Sequence, residues 1–159
     1  MANSYTQIHL HLVFIVQNRG CVIKKSWKDR LYGYITGIVQ ANGHKLLAIN
    51  GMPDHIHVLI GMRPKQSVSD LVQDIKGGSS KWINEEKLVM GRFAWQEGYG
   101  AFSYCRSHLE TVIRYIKNQE DHHRKRTFIE EYTALLRDYD VPYDDQYLFH
   151  PVDYLAEDT

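Results

Sequence analysis

GMPDHIHVLIGM, Gly51 to Met62, is the stretch on which the fold turns. HIHVLIGM is a short apolar run that reads as a strand, and MPD before it is a turn signal. On the far side of that turn HKLLAING, His44 to Gly51, reads as a second strand, so the two form a hairpin. In a strand, alternate side chains share a face. His55, His57 and Leu59 therefore fall on one face, and Ile56, Val58 and Ile60 on the other, where they can pack on helices. Two imidazoles inside such a run are the anomaly from which a functional reading starts.

The flanking chain completes the pattern. QIHLHLVFIV (Gln7–Val16) reads as a strand, and SWKDRLYGYITGIVQANG (Ser26–Gly43) as a helix. Ser26 and Asp29 fit a capping box, Leu31, Tyr34, Ile35 and Ile38 share a face, and Gly43 can end the helix. After the hairpin, SVSDLVQDIKGGSSKWIN begins a second helix at Ser67, with Gly77 and Gly78 weakening its middle. RFAWQEGYGAFSY (Arg92–Tyr104) has the glycines and aromatics of a bent or bulged strand. Ser107 and Glu110 then cap a helix over HLETVIRYIKNQEDHH, and FIEEYTALLRDY (Phe128–Tyr139) is read as a packing helix. Strand, helix, strand, strand, helix, strand, helix is the order of an α+β, ferredoxin-like (RRM-like) domain. It implies a split βαβ antiparallel sheet, helices on one face and an extra C-terminal helix.

The length of 159 residues points to a single domain, 1–159, with 127–159 as an acidic C-terminal helix and tail. No apolar run reaches the ~18 residues of a membrane span, and no export signal is visible. With only Cys21 and Cys105, a disulfide framework is excluded and a reducing cytoplasm is expected. The zero net charge hides an asymmetry: residues 1–126 carry +8 and residues 127–159 carry −8. A basic body attracts phosphates. An acidic tail folded back on it would also account for the balance.

Two imidazoles on one strand face can reach one metal ion, given at least one further ligand. Two half-exposed histidines on a solvated face would look the same in sequence. His9 and His11 form a second H-x-H, and spacing does not choose between the pairs. In LETVIRYIKNQEDHH, Leu109, Val112, Ile113 and Ile116 form a core stripe, while Tyr115 and Gln119 share a separate one. His108 and His122 fall near it. A phenol with a pKa near ~10 can attack phosphorus if a cation polarises the phosphate. Gln119 offers an amide oxygen suited to a hard cation. An ordinary surface Tyr-Gln pair has the same spacing.

MPDHIHVLI followed by YIKNQEDHH resembles the single-tyrosine HUH transposases of small bacterial insertion sequences, U being a hydrophobic residue. WQEGYGAFSY and YDDQYLF are similar to that family too, so the likeness spans nearly the whole chain. The resemblance implies His55, His57 and Gln119 as metal ligands and Tyr115 as nucleophile. It leaves His9 and His11 as sheet histidines, with His11 able to lie close to the site. It further implies Mg²⁺ (with Mn²⁺ as substitute), cleavage and rejoining of single-stranded DNA through a 5′-phosphotyrosine link, hairpin recognition, and a homodimer whose tyrosine helix can complete the partner's site.

Candidate phosphate contacts are Arg19, Lys24, Lys25, Lys76, Lys81, Arg92, Arg106, Arg114 and Lys117. DIKGGSSKW is the richest local stretch, since glycines and serines admit a close phosphate and Trp82 offers a stacking surface. HHRKR (His122–Arg126) can bind DNA or neutralise the tail. Three alternatives stand beside it: a host-adapted relative that processes repeats, which the flanking DNA and not the protein sequence separates from a transposase, a binding module without catalysis, and a metal hydrolase that leaves no adduct.

Overall fold

The computed structural model describes residues 3–158. Residues 1, 2 and 159, which the single-domain reading includes, lie outside the described residues. Strands β1 (His9–Ile15), β2 (Lys45–Met52), β3 (His55–Gly61) and β4 (Gly100–Ser103) form one antiparallel sheet in the order β2-β3-β1-β4. Helix α1 (Lys28–Ala41) joins β1 to β2, and α2 (Val68–Glu85) joins β3 to β4. This is the split βαβ arrangement that the element order predicts. Among the described residues no helix is long and apolar enough to cross a membrane.

The register sorts the side chains as the period of two requires. Ile15 and Met52 stand opposite His55 on either side, and Val13 and Asn50 opposite His57. Ile56, Val58 and Ile60 face the other way and share a buried core with Leu31 and Ile35 of α1 and Leu71 and Ile75 of α2. The histidine face is covered as well, by the later helices α3 (Leu109–Lys117), α4 (Gln119–His123) and α5 (Phe128–Asp138). Ala48 and Leu59 pack there against Val112 and Ile116. With both faces covered, β3 is buried from His55 to Ile60, which explains an apolar run that barely alternates.

Three boundaries differ from the sequence expectation. The capping box at Ser26 does not form: Trp27 occupies the N-cap with no side-chain cap bond, because its buried ring fixes where α1 starts. Only Gly100–Ser103 of the expected long strand pairs fully, apart from a lone bridge from Trp95 to Val16. The rest of that segment is drawn onto α2. Asn84 bonds the Phe93 backbone at 2.7 and 3.1 Å, and the Trp95 indole donates to Ser79 Oγ at 3.0 Å. Finally, the tyrosine helix breaks at Asn118. The Asn50 amide donates to the carbonyls of Ile116 (3.0 Å) and Lys117 (3.1 Å), so neither carries the helix on.

Gly51 holds the hairpin tight enough to aim His55. A Cβ at position 51 would sit 2.1 Å from the His55 carbonyl oxygen and 2.9 Å from Ile56 Cα. Both are backbone atoms with no room to yield. Gly51→Ala is expected to cost about 3 kcal/mol or more, the upper end for overpacking, read as a lowered urea midpoint at unchanged slope.

Candidate active site

Four elements converge on one buried carboxylate. Glu131, on α5, is fully enclosed. Its Oε1 lies 3.0 Å from His57 Nε2, 3.4 Å from His55 Nε2 and 3.2 Å from His123 Nε2. Its Oε2 accepts from the Gln119 amide at 3.2 Å and from the Tyr115 hydroxyl. Gln119 Oε1 in turn lies 3.0 Å from His55 Nε2 and 3.1 Å from His123 Nε2. The Tyr115 ring stands edge-on to His57, centroids 5.9 Å apart, and lies 4.6 Å from His122.

Neither β3 histidine is free to turn. His55 Nδ1 is 2.6 Å from Asp54 Oδ1, and His57 Nδ1 is 2.7 Å from His11 Nε2. Both Nε2 atoms are thereby aimed inward. A carboxylate behind a ligating histidine is how metal sites fix ring and tautomer, and the His11 imidazole stands in that place behind His57. The donor atoms of His55, His57 and Glu131 lie within 4.8 Å of one another, and the Gln119 oxygen adds a neutral donor. Nitrogen and oxygen donors in this mixture fit a divalent cation.

Electrostatics follow from the burial. Desolvation works against the charged form of His55, but Asp54 and Glu131 outweigh it and push its pKa up to about 10. Burial lowers His57, with Glu131 only partly opposing, and lowers His11 further with help from His57. Glu131 would be raised by burial alone; the imidazoles around it hold it far below the carboxylate range. Burial and Glu131 raise the Tyr115 phenol, and Arg126 pulls the other way.

The family resemblance leaves His11 among the sheet histidines, able to lie near the site. It is fully buried against His57, its ring stacked at 4.9 Å. His11→Ala removes the group that orients His57. It is expected to weaken divalent-ion affinity 10- to 100-fold, measured by titration calorimetry, with far-UV circular dichroism unchanged.

The comparisons with known proteins agree with this geometry. The family model described as "Transposase IS200 like" matches residues 4–119. The chain belongs to the IS200-like transposases. The ISDra2 transposase TnpA of Deinococcus radiodurans is 28% identical over 121 residues, covering 72% of this chain and 86% of that protein. A crystal structure of a candidate transposase from the same organism aligns with TM-score 0.59 and 24% identity, over 75% of this chain and 95% of that one. A REP-associated tyrosine transposase bound to a REP hairpin aligns with TM-score 0.58 and 13% identity, over 77% and 73% of the two chains. These structural likenesses bear on the fold, which is thus that of an IS200-like transposase.

The structure brings Tyr115, His55, His57 and Gln119 together, as the family resemblance implies. Sequence reading missed Glu131, Asp54 and His123. Glu131 lies beyond the matched segment of this IS200-like chain, in a helix read only as packing. A signal was present: Glu131 stands on the same stripe as the buried Phe128, Tyr132 and Leu136, and an acid on an apolar helix face calls for a partner.

The cationic candidates are dispersed. Arg114 and Lys117 are exposed on α3 beside Tyr115. Lys76, Lys81 and Arg92 line a cleft of about 1080 Å³ along α2, on the opposite side of the sheet. Lys76 spends itself on structure there. It donates to the carbonyls of Gln96 and Gly98, sits over the Phe14 ring, and burial lowers its pKa to about 8. Lys81 pairs with Glu85 at 3.9 Å, and Trp82 stacks on Tyr34. Arg19, Lys24, Lys25 and Arg106 are exposed in loops and short turns.

Proposed function

We propose that this chain cleaves and rejoins single-stranded DNA through a covalent link to Tyr115, with a divalent cation held by His55, His57 and Gln119 and additionally by Glu131. The observation that carries the reading is the convergence of the Tyr115 hydroxyl, the Gln119 amide and two oriented imidazoles on one dry carboxylate. The Tyr115 oxygen attacks a backbone phosphorus. The Tyr O–P bond forms as the phenol proton leaves along its hydrogen bond to Glu131 Oε2, the P–O3′ bond breaks, and the departing oxygen takes up a proton. A 5′-phosphotyrosine and a free 3′-hydroxyl result. Attack by a second 3′-hydroxyl reverses the step and joins the strands, so the phosphodiester energy is conserved without ATP.

Protein groups account for most of this. Asp54 and His11 hold the two imidazoles; Glu131 and Gln119 fix Tyr115. A bound Mg²⁺, or Mn²⁺ in its place, supplies positive charge that offsets Glu131 and polarises the phosphate. Hairpins at element ends are the proposed substrate, in keeping with the hairpin held by the REP-associated relative. A homodimer is proposed on the family resemblance. Tyr115 already meets its own chain's His57 and Glu131, so exchange between subunits would rebuild the same contacts in trans.

The test is a denaturing gel of purified protein with single-stranded DNA from the sequence flanking its coding region, with and without EDTA. A covalent band that depends on Mg²⁺ or Mn²⁺ is expected. Tight binding that ignores metal and yields no band at any end sequence would instead favour a binding module. Cleaved DNA with no covalent species would favour a hydrolase.

A further inference from the structure

A cleft of about 400 Å³ opens between α3 and α5, directly beside Tyr115. Arg126, Glu131, Tyr104, Tyr139 and Asp138 line it with the tyrosine. Two of its properties have no role in the site as described. Arg126 is half-buried and, among the described residues, forms no ion pair, although it is close enough to act on the Tyr115 phenol. Its neighbour in charge, Glu131, is already taken up by imidazoles. At the other end Tyr104 and Tyr139 meet edge to face, centroids 5.5 Å apart, with Asp138 beside them.

The cleft has the polarity of a nucleotide. Its cationic end shares the cleft lining with Tyr115, and a guanidinium with no ion-pair partner among the described residues suits a phosphate, which it can grip through two parallel bonds. Its aromatic end suits a base, since ring faces stack on any base. Glu131 and Asp138 are seven residues apart on α5, about 10 Å along the axis, which is roughly the reach from a phosphate to the far edge of its base. A carboxylate there accepts from an exocyclic amino group, as on cytosine or adenine, and repels a carbonyl edge. The α3 wall lies within the segment 4–119 that matches the family, and the α5 wall, with Arg126 and Asp138, lies outside it.

We propose that the α3–α5 cleft binds the nucleotide joined to the phosphate under attack. Arg126 grips that phosphate, the base stacks on a free ring face of the Tyr104–Tyr139 pair, and Asp138 selects a base bearing an exocyclic amine. The inference rests on the reading that Tyr115 attacks DNA. It adds a phosphate-binding residue and a sequence preference that the protein itself imposes next to the cleavage point.

The experiment measures single-turnover adduct formation by the full-length protein. Arg126→Gln is expected to slow it about 100-fold, with Arg126→Lys recovering part of the loss. Hairpin affinity by fluorescence anisotropy and divalent-ion affinity by calorimetry should stay at wild-type values. With a methylphosphonate at the scissile position, which lacks the charged oxygen, wild type and Arg126→Gln should react at the same rate. Replacing the neighbouring cytosine or adenine by thymine should slow wild type about tenfold and Asp138→Asn much less. An Arg126→Gln protein that forms adduct at the wild-type rate, or that is equally impaired on the methylphosphonate, overturns the proposal while the Tyr115 reading stands. Absence of adduct from wild type itself overturns both.

Discussion

Tyr115→Phe is expected to eliminate the covalent protein–DNA product, a loss of at least about a thousandfold, while leaving the protein folded. The argument is geometric. The hydroxyl donates to Glu131 Oε2 and lies against the Gln119 amide, and those two groups keep their own hydrogen bond when the hydroxyl goes. The ring's contacts with His57 and His122 do not involve the hydroxyl and persist. Stability should therefore change by about 1 kcal/mol, the usual worth of one hydrogen bond, and divalent-ion binding should survive. Thermal melting with and without Mg²⁺ checks those two expectations, and hairpin anisotropy checks that DNA binding persists. The gel checks the chemistry. A residual adduct mapped by mass spectrometry to Tyr104 or Tyr139, which line the same cleft, would move the nucleophile off α3 and end the present assignment.

How much of this was legible depends on where each constraint lives. The hairpin was readable because the strand period is local: Met52, Pro53 and Asp54 mark the turn, and alternation from His55 onward sets the faces. Tyr115 and Gln119 were readable as neighbours from i, i+4 spacing, yet the spacing holds for a different reason than expected. The helix breaks between them at Asn118, because Asn50 of β2 captures two carbonyls, and that partner is remote in sequence. The shortening of β4 has the same origin, since Asn84, Ser79 and Lys76 draw the preceding segment onto α2. The role of Asp54 was hidden because a turn residue and a histidine orienter look alike in sequence. His11 was visible as a histidine but not as a partner, which needed the β1–β3 register that sets it opposite Leu59 and on the His57 face. Glu131 is the clearest case. Its helix was found, and its stripe was apolar apart from one acid, but nothing local says what a buried acid faces. Gly100 lets α5 come that close, since a Cβ there would meet the Tyr132 ring at 2.7 Å.

Glu131→Ala should do more damage to the metal-free protein than any surface change, costing about 3–5 kcal/mol at neutral pH, the usual loss when one partner of a buried ion pair is removed. It leaves His55 with Asp54 as its one remaining counter-charge, takes the acceptor from the inward nitrogen of His57, and leaves His123 only the Gln119 oxygen. Glu131→Gln separates charge from shape and should cost less. The pH dependence follows from the shifts. His55 is raised to about 10, so its contribution is complete below ~6.5 and is lost as pH climbs toward 10. His57 and His11 are lowered, so their neutral forms stabilise the fold above ~6.5 and that stability is lost as pH falls below it. Glu131 is lowered too, and its contribution fades only in stronger acid, below ~4.3. The melting temperature of chelator-treated protein should therefore peak near neutrality and fall more steeply on the acid side, where two histidines titrate together. A divalent cation must displace the proton from His55, so binding at pH 7 should release about one proton, read by calorimetry in buffers of different ionisation enthalpy. Glu131→Ala should lower both the affinity and the proton release. A variant that binds the ion as tightly as wild type, with the same proton count, would remove Glu131 from the metal site and leave it a purely structural anchor for Tyr115.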